Sequence, residues 1–224
     1  MTETTEELRH IYEKRFASTS EYRNEVWKVL ISDFFVKWIS KTDVVLDLGC
    51  GYGEFINNVS AARRMAMDLN PDSPEKLDGQ VEFLNQDCSE TWNIPDESLD
   101  VVFTSNFFEH LPDKNALKKT LQQAYRCLKP GGHLIAMGPN IKYLPGTYWD
   151  FFDHHTILTE ASLSEVLKLT GFSMKTVVSR FLPYTLVNTP KYPLILLKWY
   201  LAARPFWWIK GRQFLVVACK NPST

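Results

Sequence analysis

Apolar residues fall into short runs, several of them β-branched, separated by longer mixed stretches. Val44-Val45-Leu46 ends at Asp47, and Arg64-Met65-Ala66-Met67 ends at Asp68. Val81-Glu82-Phe83-Leu84 leads to Asp87-Cys88, Leu99-Asp100-Val101-Val102-Phe103-Thr104 runs into Ser105-Asn106, and His133-Leu134-Ile135-Ala136-Met137 follows. Short apolar runs of this kind suit the buried strands of a parallel sheet. Between and around them the period lengthens to that of helices. Glu21 to Ile39 sets Val26, Trp27, Leu30, Phe34 and Trp38 on one helical face. Lys114 to Leu128, rich in Leu and Lys, predicts a second helix that Lys129-Pro130-Gly131-Gly132 breaks. Thr159 to Thr170 predicts a third, with Thr159 as N-cap and Gly171 as the stop. Met174 to Phe181 and Gln213 to Cys219 read as two final strands.

The first run ends in Asp47-Leu48-Gly49-Cys50-Gly51-Tyr52-Gly53-Glu54. Glycine permits positive φ and lets a ligand approach bare backbone. A strand that ends in such a loop and re-enters as a helix forms a crevice at the carboxyl edge of a sheet. The nicotinamide dinucleotide fingerprint needs a third glycine where this chain has Glu54, so an oxidoreductase of that type is disfavoured. Asp47 would repel a pyrophosphate and attract an ammonium or sulfonium cation. Asp68 follows Asp47 at the offset of about 20 residues where an acid bonds ribose hydroxyls in α/β nucleotide sites.

With Glu109-His110-Leu111 after the fourth run and Leu128-Lys129-Pro130-Gly131-Gly132 before the fifth, the chain resembles the class I S-adenosylmethionine-dependent methyltransferases over about residues 40–180. The resemblance implies an α/β fold: a Rossmann-like, seven-stranded, mostly parallel sheet with helices on both faces and an antiparallel last strand. It implies one domain over residues 1–224, with a helical cover over 1–40 and an insertion at 182–212. It also implies S-adenosyl-L-methionine as cofactor. Asp47, Gly49, Cys50 and Gly51 would form the cradle, Asp68 with Leu69 the ribose site, and Asp87 with Cys88 the adenine site. Asn106 would face the bound molecule, Tyr12 would cover its sulfonium side, and Arg23 would pair with its carboxylate.

The loop after the fifth strand carries Tyr143, Tyr148, Trp149, Asp150, Phe151, Phe152, Asp153, His154 and His155. It lies on the acceptor side in the implied fold. A hydroxyl acceptor needs its proton removed, and histidine near neutral pH suits that task. His154 and His155 are therefore the candidate catalytic residues, with His110 a third. DNA-base amino-methyltransferases carry an Asn-Pro-Pro-aromatic motif where this chain has Asn106-Phe107-Phe108-Glu109, and no nucleic-acid-binding module is present, so a nucleic-acid partner is not expected. Cys50, Cys88, Cys127 and Cys219 lack metal-type spacing and read as reduced thiols, so no metal is expected.

The net charge of -1 hides an asymmetry: every Asp and Glu lies at or before Glu165. The basic remainder includes Lys198, Trp199, Arg204, Trp207, Trp208, Lys210 and Arg212 in the insertion. Lys198, Arg204 and Pro205 interrupt its apolar runs, so it does not read as a transmembrane helix. Trp among Lys and Arg suits either a lid over an acceptor pocket or a segment in a membrane interface. The polar, acidic N-terminus lacks a signal pattern, which predicts a cytoplasmic chain, with peripheral membrane contact left open by the insertion. Together these features predict methyl transfer to a small-molecule acceptor, an oxygen nucleophile on a sugar, lipid-linked or secondary-metabolite substrate that is anionic in one form of the reading. The alternative is a cofactor-binding, non-catalytic module acting through its basic aromatic insertion.

Overall fold

The computed structural model describes residues 20–184 and 191–222. Seven strands form one sheet: β1 (Val44–Leu48), β2 (Arg63–Met67), β3 (Val81–Leu84), β4 (Leu99–Ser105), β5 (Leu128–Pro139), β6 (Phe172–Val178) and β7 (Gln213–Lys220). Their order is β3-β2-β1-β4-β5-β7-β6. The first five pair in parallel, and β7 runs antiparallel to both β5 and β6. β5 begins earlier than the apolar pattern indicates, because Leu128 already pairs with Leu99. The ladder is then interrupted until His133 meets Val101, so Lys129 to Gly132 bulge out of it.

Alternation along the strands divides the core into two layers. Leu46, Leu48, Val102, Leu134, Ala136 and Val216 face α3 (Lys114–Cys127) and α4 (Glu160–Leu169), where Leu117, Leu121, Leu163 and Leu167 complete the layer. Val45, Phe103, Ile135, Leu215 and Val217 face the other way. There they meet α1 (Ser20–Asp33) and the insertion, which folds as α5 (Leu194–Ala202) and α6 (Pro205–Lys210). A four-residue α2 (Ser73–Lys76) lies between β2 and β3. Thr159 caps α4 by accepting the Ser162 N–H at 3.1 Å, and the Ser162 hydroxyl accepts the Thr159 N–H in return. Thr159→Ala should cost about 1 kcal/mol of stability, read from the urea midpoint.

Three expectations need correction. The first helix stops at Asp33, and Phe35–Lys37 form one 3-10 turn. Phe34 and Phe35 are both buried, and adjacent residues cannot share a face of an α-helix. The backbone leaves helical geometry at Phe34 (φ -130°), and both rings enter one aromatic cluster with Phe103 and Phe181. The glycine loop does not re-enter as a regular helix either. Asn57 N–H reaches Gly53 O and Val59 N–H reaches Phe55 O, both within a single stretch of turns before β2 begins. Asn57 and Asn58 are weak helix formers. Their side chains are engaged elsewhere, Asn58 with Asn24 and Asn57 with the Asp78 N–H. Finally, β6 ends at Val178 rather than Phe181, after a register shift between Met174 and Thr176.

Candidate active site

The strand order reverses between β1 and β4, the point where a parallel α/β sheet opens a crevice beyond its carboxyl ends. β1 leaves the sheet at Leu48, and the next two amides, of Gly49 and Cys50, donate to Met67 O at 2.9 and 3.3 Å. That ties the glycine loop to the end of β2. Gly49 (φ 70°) and Gly51 (φ 53°) are both in the left-handed region. A Cβ on Gly49 would come within 2.2 Å of the Phe107 ring, so only glycine lets this loop pass the loop after β4. Asp68, the residue after β2, accepts the Gly51 N–H at 2.7 Å through Oδ2 and the Asn70 N–H at 2.8 Å through Oδ1. Each carboxylate oxygen keeps a second lone pair for a hydroxyl. Buried Asn70 contributes an amide Nδ2 with no hydrogen-bond partner.

Asp47 is buried beneath this loop. Burial first, then the Asp68 and Glu54 carboxylates, push its carboxyl well above the usual range, while the Ile56 N–H acts in the opposite direction. An acid-lined cradle of this kind is short of positive charge, and a sulfonium or ammonium group would supply it. The residues present therefore fit S-adenosylmethionine. Arg23 does come to the loop, and its Nη2 grips Glu54 Oε1 at 2.9 Å. Leu69 is exposed beside Asp68. Asp87 accepts the Ser89 N–H and hydroxyl, both at 2.8 Å. Cys88 is buried between Trp92, whose Nε1 donates to its carbonyl, and Thr120, whose hydroxyl donates to its sulfur. Burial pushes the Cys88 thiol up to about 12 and raises Cys50 further still, so neither is a nucleophile. Asn106 follows β4 directly, exposed and left-handed (φ 50°), with its N–H on Met137 O. Tyr12 lies outside the described residues.

On the β4 side of the reversal, the loops after β4 and β5 interlock. Glu109 O accepts the His155 N–H at 2.8 Å and the Thr156 N–H at 3.0 Å. The Thr156 hydroxyl donates to Leu111 O, and the Tyr148 hydroxyl donates to Thr156 O. This brings His110 and His154 together, with ring centroids 5.1 Å apart. The His154 ring is buried, stacks on Phe151, and has Nδ1 3.0 Å from Tyr148 O. His110 Nδ1 lies 3.0 Å from Asp153 O and 3.1 Å from its carboxylate. Burial disfavours the His110 cation, yet Asp153 and Glu109 hold its pKa above the ordinary value. Burial also pushes the Glu109 carboxyl up to about 7 against the pull of His110. Phe107, two residues before Glu109, lies against Gly49 of the glycine loop, which places this cluster beside the cofactor crevice. His155, in contrast, is exposed. The buried carboxylates Glu109 and Asp153 were not among the predicted site residues, although the Glu-His pair flagged their neighbourhood.

The fold and crevice are those of a cofactor-dependent group-transfer domain, and comparison gives the family. A family model described as "Methyltransferase domain" matches residues 19–177. A probable methyltransferase of Aspergillus luteorubrus is 29% identical over 118 residues, 45% of this chain and 41% of that protein. A probable S-adenosylmethionine-dependent methyltransferase of Mycolicibacterium smegmatis is 28% identical over 143 residues, 61% of this chain and 54% of its own length. The chain thus spans about half or less of these two relatives. The crystal structure of an S-adenosylmethionine-dependent methyltransferase from Archaeoglobus fulgidus superposes with a TM-score of 0.67 at 20% identity, covering 92% of this chain and 99% of that one. The chain belongs to the methyltransferase-domain family of the class I superfamily, and its cofactor is S-adenosylmethionine.

Proposed function

We propose that the chain transfers a methyl group from S-adenosylmethionine to a hydroxyl oxygen of a small-molecule acceptor. The observation that supports this is the convergence of Glu109, His110 and His154 just after Phe107, which lies against the glycine loop, on the acceptor side of the strand reversal. A carboxylate acceptor is already nucleophilic and needs no such group, whereas a hydroxyl must lose its proton. Bound S-adenosylmethionine supplies a methyl on a cationic sulfur. The acceptor oxygen would take that methyl, with the electron pair of the broken carbon–sulfur bond staying on sulfur, and its O–H proton would pass to the Glu109–His110–His154 cluster and from there to water. Asp47, Asp68 and the glycine loop hold the cofactor, and the Glu109–His110–His154 cluster activates the acceptor. His155, exposed, receives no role.

The test is a radiolabelled-methyl assay against a panel of hydroxylated sugars, prenols and phenols. His154→Ala should lower turnover by about 10²–10⁴-fold while leaving cofactor affinity near that of the unaltered chain. Cofactor binding with no transfer to any oxygen acceptor would instead favour a non-catalytic binding module.

A second reading concerns the insertion. Leu201 and Trp207 anchor it in the core, Tyr22 bonds the Tyr192 backbone, and Lys198 pairs with Asp33 at 3.6 Å. Ile195, Leu196, Trp199, Phe206, Trp208 and Ile209 remain exposed beside Lys198 and Lys210. Rings over an acceptor pocket would be covered; these are in solvent, which favours an anionic lipid surface over a lid. Among the described residues no helix is long and apolar enough to cross a membrane. Each basic residue near such a surface adds about 1 kcal/mol. Replacing Lys198, Arg204 and Lys210 together by Gln should sharply reduce co-sedimentation with phosphatidylserine vesicles and leave cofactor affinity nearly unchanged. Lost turnover with unchanged vesicle binding would restore the lid.

A further inference from the structure

We propose that Glu109, His110 and His154 bind a divalent metal ion of the class that takes nitrogen and carboxylate oxygen together, such as manganese(II), cobalt(II) or zinc(II). Each of the three side chains offers one ligand atom, and these atoms all lie within 4.8 Å of one another. Ligands about 2.1 Å from a shared tetrahedral ion lie about 3.4 Å apart, so the widest pair needs to draw in by up to about 1.4 Å.

The hydrogen bonds assign the tautomers. A carbonyl oxygen only accepts, so Nδ1 carries the proton where His110 meets Asp153 O and where His154 meets Tyr148 O, both at 3.0 Å. That leaves Nε2 with the lone pair in each neutral ring, as a metal ligand requires. An oxygen on the opposite ring nitrogen is the arrangement that orients metal-binding imidazoles. Both rings have it, and His110 adds the Asp153 carboxylate at 3.1 Å. The backbone supports the set: the His155 and Thr156 amides bind the carbonyl of Glu109 itself, which locks the loop bearing His154 to the loop bearing the other two ligands. Two imidazoles and one carboxylate leave coordination positions for other ligands. The use of such an ion rests on the oxygen-acceptor reading: it would bind the acceptor hydroxyl and lower its pKa, as it does for water. Binding of the ion does not depend on that reading.

The test uses the full, untagged chain, stripped with chelator and titrated with manganese(II) by electron paramagnetic resonance, then with cobalt(II) and zinc(II) by calorimetry, with no acceptor present. One equivalent should bind. Glu109→Gln and His154→Ala should each weaken it at least tenfold, while calorimetry with S-adenosylmethionine shows that the variants are folded. His110→Gln serves where either fails to fold. If none of the three ions binds at a concentration of about 1 mM, or if binding ignores all three substitutions, the site is a hydrogen-bonded cluster that pins two loops and the proposal fails. Metal binding without methyl transfer to oxygen would keep the site and reject the acceptor class.

Discussion

Asp68→Ala should weaken S-adenosylmethionine binding by tenfold or more in isothermal titration. The substitution has two consequences that act in the same direction. A carboxylate with lone pairs left to accept from ribose hydroxyls in the proposed site is lost, and hydrogen bonds to a charged group contribute about 1.5–3 kcal/mol. The Gly51 N–H, held at 2.7 Å by Asp68 Oδ2, also loses the contact that ties the glycine loop to the end of β2. Fold should survive, since β2 keeps its pairing to β1 and β3 and Gly49 still donates to Met67 O. A far-ultraviolet circular dichroism spectrum matching the unaltered chain, with the tenfold loss, is the expected pair of results. Unchanged affinity would remove Asp68 from the cofactor site.

The parts of this molecule that follow from local pattern were readable before any coordinates. The five parallel strands are visible as short apolar runs, each ending near a turn or a polar residue, because β1, β4 and β5 are largely buried on both faces, while β3, at the sheet edge, is only half-buried and alternates with exposed Glu82. The left-handed glycine loop was visible because no other residue takes that conformation cheaply. What was hidden depends on contacts distant in sequence. Phe34 and Trp38 fit one helical face on paper. The helix ends before them because Phe34 and Phe35 both have room in the same aromatic cluster, made by strands and loops far along the chain. The insertion's aromatic content gave no sign of which rings would be anchored: Trp207 is buried and Trp208, its neighbour, is not. The sequence offers the histidines only singly. That His154 meets His110 and Glu109 depends on hydrogen bonds from the His155 and Thr156 N–H groups to the Glu109 carbonyl, and nothing in the spacing announces those.

Gly51→Val should abolish S-adenosylmethionine binding in a chain that still folds, and it separates the cradle from the framework around it. At φ 53° a β-branched residue takes a left-handed conformation at a cost of about 1–2 kcal/mol, which a domain of this size can absorb. Its side chain, however, would stand on the loop where the proposed site brings the cofactor against backbone. Gly49→Val offers the contrast. There the new Cβ overlaps the Phe107 ring at 2.2 Å, so the two loops must part and the protein itself should lose stability. Thermal melting and calorimetry together distinguish the two variants. The Gly51 variant is expected to melt within a few degrees of the unaltered chain and to bind no cofactor. The Gly49 variant should melt far lower whether cofactor is added or not. A Gly51 variant that binds S-adenosylmethionine normally would mean that the ligand does not rest on this loop. The acidic cradle of Asp47, Glu54 and Asp68 would then have to attract its cation from another direction.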